Sequence, residues 1–294
     1  MPAATPSRDN LTGAFFMTLS MAGFAVEDVA VKAATRTLPV GVALVIFGLG
    51  GMLVFALLTR RRGEPVLPRA LLSPTILVRG GFELTGRLFH TLAITFTTLS
   101  ATSAILQSTP LIVVAGAALL FGESVGWRRW AAILAGFAGA LVILRPGLDG
   151  FSALSLLAVA GTVGFAGRDL ATRAAPPALS DTQLGVCGFF AMVPAGAALL
   201  ALTGGARLPG PAESALLAAA ISVGVLAYWC LTRAMRTGEV AAVTPFRYTR
   251  LVFALALGIA VFGERPDAAT LAGSALIVAS GLYTLARSRC ARPA

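Results

Sequence analysis

Residues 23–34 read GFAVEDVAVKAA, and residues 164–175 read GFAGRDLATRAA. Phe24 and Phe165, Asp28 and Asp169, Lys32 and Arg173, and Ala34 and Ala175 are each 141 positions apart. The same offset lays residues 93–104 (AITFTTLSATSA) on residues 234–245 (AMRTGEVAAVTP), and LLFGE (119–123) on AVFGE (260–264). The register holds over most of both halves without a large gap. The chain is therefore a duplication of one unit, and whatever it folds into must be built from two related halves.

Each unit consists of long apolar blocks. They lie near residues 11–34, 39–59, 71–96, 99–121 and 127–144 in the first half, and 151–174, 181–203, 212–235, 239–262 and 268–286 in the second. A run of about 18–25 apolar residues matches a ~30 Å hydrocarbon layer crossed as a helix. Only 12% of the residues are charged and the mean hydropathy is +0.84, against roughly 25% charged in a soluble domain. The strict alternation of a membrane barrel is absent. Pro, Gly and charge collect in the short gaps, as in TRRRGEPVLPR and FGERPD. The expected fold is an all-α polytopic membrane protein of ten transmembrane helices. The first block has an internal copy and carries Glu27 and Asp28, so it is expected to be a retained helix, not a signal peptide. Five spans per unit is odd, so the second copy enters the bilayer the opposite way. The halves, 11–144 and 151–287, are then inverted repeats, a plan typical of secondary transporters whose halves close alternate sides of a shared cavity.

The formal charge of +10 is spread over the gaps. With the N-terminus in the cytoplasm, the inner segments hold Arg8, Arg60, Arg61, Arg62, Arg69, Arg128, Arg129, Arg173, Arg236, Arg287, Arg289 and Arg292. The outer ones hold only Lys32, Arg36, Arg145, Arg207 and Arg265. This asymmetry predicts a multi-pass protein of the inner (cytoplasmic) membrane with both termini cytoplasmic, and no nucleic-acid partner. Cys187, Cys230 and Cys290 form no disulfide or metal pattern.

The two FGE endings, Phe121–Glu123 and Phe262–Glu264, each close the fourth helix of a half and precede a Gly/Ala-rich helix. With SATSAILQSTPLIVV and EVAAVTPFRYTRLVF before them, they resemble the EamA type of the drug/metabolite transporter superfamily over nearly the whole chain. The resemblance implies a ten-helix transporter without cofactor, whose third, fourth, eighth and ninth helices line a central cavity. Family substrates range over amino acids, nucleosides, vitamins, sugars and drugs. GFAVEDVAVKA and PFRYTRLVFAL further resemble family members that carry riboflavin or S-adenosylmethionine.

Polar groups inside spans are costly and mark function or internal pairing. In the third block Arg79, Glu83, Arg87 and His90 share one face, which must look into the bundle. There Glu83 can pair with Arg79 or Arg87. His90, the sole histidine, is a candidate proton relay or a packed residue. It has no metal-ligand neighbour at usable spacing. In the ninth block Arg247 and Arg250 follow Pro245, which breaks a regular helix. They either grip an anionic or zwitterionic substrate or are neutralised by Glu83, Asp28 or Asp169. The offset pairs Tyr248 with Gln107 and Tyr228 with Arg87. Arg87, Gln107, Tyr228, Trp229, Arg247, Tyr248 and Arg250 are thus the expected substrate-binding set, with Tyr228 and Trp229 able to stack on a flat ring or on each other. Glu83, His90, Asp28, Lys32, Asp169 and Arg173 are the expected proton-coupling or gating set. Asp28–Lys32 and Asp169–Arg173 are read as i, i+4 pairs, one per half. Small residues in the fifth and tenth blocks suit close helix packing and a homodimer contact. The expected partners are the bilayer and a small-molecule substrate. The competing class, a non-transporting receptor or integral enzyme, lacks support: no Ser/His/Asp set, metal cluster or phosphate loop stands at credible depth.

Overall fold

The computed structural model describes residues 6–122, 126–144, 154–237 and 243–290. Glu123, with which the first FGE motif ends, and Arg145 lie outside the described residues, as does the 238–242 segment that opens the ninth block. The described chain is all-helical. The first half comprises α1 (Pro6–Ala34), α2 (Val40–Arg61), α3 (Pro74–Phe96), α4 (Leu99–Leu106), α5 (Thr109–Phe121) and α6 (Trp127–Leu144). The second comprises α7 (Ser155–Arg173), α8 (Asp181–Phe190), α9 (Met192–Thr203), α10 (Pro211–Arg236), α11 (Thr249–Phe262) and α12 (Ala268–Cys290), with a 3₁₀ turn over Thr244–Tyr248 before α11.

Polarity runs inside out. On α2, Leu49, Leu53 and Leu57 are about half exposed, whereas Glu83, Arg79 and Asp28 are sealed inside. Water would reverse that order, and hydrocarbon requires it. Four stretches are long and apolar enough to cross a bilayer: Asp9–Ala34, Val40–Arg61, Asp181–Thr203 and Pro211–Arg236. The protein is a multi-pass membrane protein.

The halves interlock. The main packing partners are α1 with α10 and α3 with α7, then α2 with α8 and α9, and α6 with α12. The 141-residue offset converts α1/α10 into α7/α3, and returns the other two contacts to themselves. Glycine permits the two equivalent crossings. A Cβ added at Gly23 on α1 would lie 2.8 Å from Ala227 Cβ on α10, and one at Gly164 on α7 would lie 2.5 Å from Gly86 Cα on α3. Gly23 and Gly164, and Gly86 and Ala227, are repeat mates. The small residues of the fifth and tenth blocks pack α6 on α12 within one chain, with Gly136 against Ser280 and Tyr248.

Three blocks that read as continuous helices are divided. The fourth parts at Gln107–Ser108, before Pro110, and the ninth passes from the 3₁₀ turn to α11 at Tyr248–Thr249. These breaks are repeat mates, 141 positions apart. Pro110 has no N–H for the carbonyl of Leu106, and the Thr109 hydroxyl donates to that oxygen at 2.5 Å instead. The seventh block divides at Ala191 into α8 and α9. Both FGE glycines end their helices in the left-handed region, with φ of 66° at Gly122 and 63° at Gly263. There a Cβ is strained and glycine is favoured. The motif is thus a helix stop, and it delivers Glu264 across the molecule.

Candidate functional site

The shared face expected of α3 is present. Arg79, Glu83, Arg87 and His90 are all buried and point into the bundle. Glu83 is within 3.9 Å of Arg79 and 4.0 Å of Arg87. Its nearest partners come from the other half: the Tyr228 hydroxyl donates to it at 2.5 Å and Arg168 Nη1 at 3.4 Å. Arg79 donates to Thr172 Oγ1 at 2.9 Å and to the Tyr228 oxygen at 2.5 Å.

Asp28 of α1 does not pair with Lys32 as its spacing suggests, and Asp169 of α7 pairs with its helix neighbour Arg168 and with Arg247. Asp28 accepts from Arg250 at 2.5 Å and lies 3.0 Å from His90 Nε2. Asp169 is held by Arg247 and by Arg168. Glu27, which spacing left unassigned, is held by Arg87. Lys32 reaches instead to Glu264 Oε1 at 3.1 Å and to the Thr97 carbonyl at 2.9 Å. The same Glu264 oxygen accepts from the backbone N–H of Leu99 at 2.8 Å, capping α4. Arg173, the counterpart of Lys32, is half-buried at the end of α7.

Arg247 and Arg250 therefore have acidic partners, as one of the two sequence readings allowed. The pairing is incomplete in charge. Among the described residues this ionic core holds Glu27, Asp28, Glu83 and Asp169 against Arg79, Arg87, Arg168, Arg247 and Arg250. Four carboxylates against five guanidinium groups leave one excess positive charge when His90 is neutral. The Nε atoms of Arg87, Arg247 and Arg250 are buried without a hydrogen-bond partner.

The residues that carry these unpaired donors line a narrow central cavity. Arg87, Arg168, Arg247, Arg250, Gln107 and Thr109 supply its polar wall, and among the described residues no carboxylate lines it. Phe24 and Phe165 supply aromatic walls. The Arg250 guanidinium lies 5.2 Å from the Phe24 ring centre, and that of Arg168 lies 4.8 Å from Phe165. Such stacking holds arginine in place while leaving its edge free. Phe24 and Phe165 are repeat mates, as are Leu106 and Arg247, and Thr109 and Arg250. The cavity thus lies where equivalent surfaces of the two halves meet, beside both breaks of the fourth and ninth blocks.

Three expected substrate residues lie off this cavity. Tyr228 spends its hydroxyl on Glu83 and Arg79 and packs edge-on to Phe55 and Phe189. Trp229 packs edge-on to Phe16 at 5.6 Å. Tyr248 packs with Leu251, Leu255 and Val278. A second, narrow cavity is lined by Glu27, Asp28, His90 and Thr91 with Arg87 shared between the two. No group of three metal-binding side chains occurs among the described residues.

An inside-out helical fold with an arginine-walled pocket between two related halves defines a membrane transporter. The chain matches the EamA-like transporter family twice, over residues 11–145 and 151–286. It belongs to that transporter family, not to a family of enzymes. It is 31% identical over 182 residues to a riboflavin transporter of Rhizobium johnstonii, covering 62% of this chain and 60% of the relative. It is 26% identical over 209 residues to an S-adenosylmethionine uptake transporter of Rickettsia felis, covering 71% and 70%. It is 28% identical over 271 residues to a pseudopaline exporter of Pseudomonas aeruginosa, covering 91% and 93%. A solved crystal structure shares the fold with a TM-score of 0.69 at 22% identity, covering 97% of this chain and 99% of that one.

Proposed function

We propose that this protein is a secondary transporter that moves a small, negatively charged or zwitterionic metabolite across the cytoplasmic membrane by alternating access. The observation that carries this reading is the central cavity: among the described residues four arginines and no carboxylate line it, within a core whose described groups are one negative charge short of neutral. A buried uncompensated cation in a bilayer costs several kcal/mol, and a carboxylate or phosphate on the substrate removes that cost through the planar guanidinium forks. The flanking phenylalanines favour a substrate that also carries a ring, and riboflavin-like vitamins enter as one candidate.

Ten spans, arranged as inverted repeats with both termini cytoplasmic, follow from five blocks per copy and from the arginine distribution, and the exchange of α1/α10 with α7/α3 under one offset supports a two-fold relation between the halves. In that orientation the Lys32–Glu264–Leu99 cluster closes the outer mouth. Glu264→Gln weakens it by removing the ion pair. A cysteine replacing Thr95, in a background without native cysteines, is expected to react several-fold faster with an impermeant maleimide when Glu264→Gln is added. Equal rates would refute the gate.

The substrate reading is tested by ligand-induced thermal stabilisation of the purified protein. A ligand at a hundred times its Kd stabilises the folded state by about 2.7 kcal/mol. Carboxylates, phosphates, riboflavin and S-adenosylmethionine form the panel, with Arg247→Ala beside the wild type. Stabilisation by anionic compounds, lost in Arg247→Ala, is expected. Stabilisation by uncharged or purely cationic compounds alone would overturn the anion assignment, and a hit that survives Arg247→Ala would leave Arg247 a structural role.

A further inference from the structure

We infer that His90 is a proton-binding site whose occupancy is coupled to anion binding in the central cavity through Asp28 and Arg250; the inference rests on the anion-site reading above. His90 Nε2 lies 3.0 Å from Asp28 Oδ1 and 3.2 Å from Arg250 Nη2, while the same Nη2 lies 2.5 Å from Asp28 Oδ2. One ring nitrogen thus faces both a carboxylate and a guanidinium, and it cannot satisfy both. As a lone pair it accepts from Arg250 and confronts the carboxylate. As an N–H it donates to Asp28 and confronts the arginine's own hydrogens. Arg250 stays charged throughout; a neutral ring can carry its proton at Nδ1 and keep the Arg250 contact, or at Nε2 and keep the Asp28 contact, whereas a charged ring always presents an N–H at Nε2.

With the ring neutral and protonated at Nδ1, Arg250 bridges Asp28 and His90. With the ring charged, His90 takes Asp28, and Arg250 loses an acceptor and gains a like charge beside it. Arg250 already borders the central cavity, stacked on Phe24, with its Nε unpartnered. Its new partner is an anion in that cavity. Charging His90 also raises the core excess from one positive charge to two, which suits a dianion. The two ligands arrive by different routes: His90 and Asp28 line the second cavity, Arg250 lines the central one, and Arg87 walls both.

The other groups around His90 do not relieve the competition. On α1, Glu27 gives Oε1 to Arg87, which lies one turn before His90 on α3, while its Oε2 has no hydrogen-bond partner and none to His90. From α7, Phe165 meets the ring edge-on at 5.5 Å and Gly161 meets the α3 backbone, neither of them titratable. From α2 the second cavity receives only Ala43, Leu44 and Phe47. His90 Nδ1 is buried without a partner, so a ring protonated there adds no hydrogen bond that would compete.

His90 is the only histidine in the chain. Isotope-labelled histidine in the purified full chain, with a tag free of histidine, therefore reports one imidazole by NMR. Sulfate is the probe, because it stays a dianion over the titration range of the ring. Two results are expected: sulfate raises the titration midpoint of His90 by about one unit, and its affinity, read by thermal stabilisation, is at least about fivefold tighter at about pH 5.5 than at about pH 8. In His90→Gln, sulfate still binds and that difference disappears. Arg250→Gln moves the His90 midpoint upward without sulfate. If sulfate stabilises the protein equally at both pH values and leaves the midpoint unmoved, the coupling is overturned. If sulfate binds at neither pH, the anion-site reading fails; the coupling is then judged by Arg250→Gln alone, and an unmoved midpoint overturns it as well. If Arg250→Gln does not fold, Asp28→Asn takes its place: losing the carboxylate 3.0 Å from Nε2 is expected to lower the His90 midpoint, and an unmoved midpoint overturns the coupling.

Discussion

Gly164→Leu is expected to yield no monodisperse protein. A Cβ at Gly164 would stand 2.5 Å from Gly86 Cα and 2.9 Å from the Phe82 carbonyl oxygen. Both are backbone atoms of α3 that no rotamer change can move. Overpacking a core by a methylene or two costs about 1–3 kcal/mol where side chains can shift, and here whole helices must part. Parting them also pulls Arg79 from Thr172 and Arg168 from Glu83, which bridge the same two helices. The repeat provides an internal control. Gly23 meets the Cβ of Ala227 at 2.8 Å, a side-chain contact in a looser crossing. Gly164→Ala should therefore lower the unfolding temperature more than Gly23→Ala, and the reverse order would show that the α3/α7 crossing is not the tighter one.

Asp169→Ala is expected to cost about as much by a different route. It leaves Arg168 and Arg247 without their shared carboxylate and raises the excess of the core from one positive charge to two. Removing one partner of a buried ion pair typically costs about 3–5 kcal/mol, because the survivor stays buried and uncompensated. Adding Arg247→Leu to Asp169→Ala should restore part of the loss, since the second change removes one orphaned cation. Thermal unfolding of the two single variants and the double closes the cycle. A double variant no more stable than Asp169→Ala would mean that Arg247 is already satisfied from elsewhere.

The class of this protein was open to reading from the sequence because it rests on patterns that survive projection onto a line. Apolar runs of bilayer length and a 141-residue self-match need no knowledge of who touches whom. Ion-pair partners do need it. Asp28 has Lys32 one turn along its own helix, yet its carboxylate goes to Arg250, 222 positions away, because α1 turns Asp28 inward while Lys32 reaches Glu264. Spacing reveals neighbours on a helix and is blind to those across a bundle. The same blindness misplaced the aromatics. Tyr228 looked free to stack on a ligand until Glu83 and Arg79 took its hydroxyl. Phe24 and Phe165, the walls of the cavity, were two among seventeen phenylalanines. The signal that finds them is the repeat itself: one offset superposes Phe24 on Phe165, Glu27 on Arg168, and Thr109 on Arg250. Where two copies of one unit disagree in charge, the common ancestor's symmetry has been broken, and Arg168, Arg247 and Arg250, three such breaks inside the spans, border the central cavity.

The interlocking of α1 with α10 sets a timetable for the chain's birth. The ribosome finishes Asp28 long before it reaches Arg250, and at about 5–20 residues per second the separation of 222 positions is a wait of roughly ten to forty seconds. Glu27 meets Arg87 within its own half, but Asp28 stays without Arg250 throughout that interval, and α1 without α10 for most of it. The first half therefore cannot settle in lipid as a finished unit. It must be sheltered at the site of insertion, by the translocon or an accompanying chaperone, until the second half arrives to enclose it.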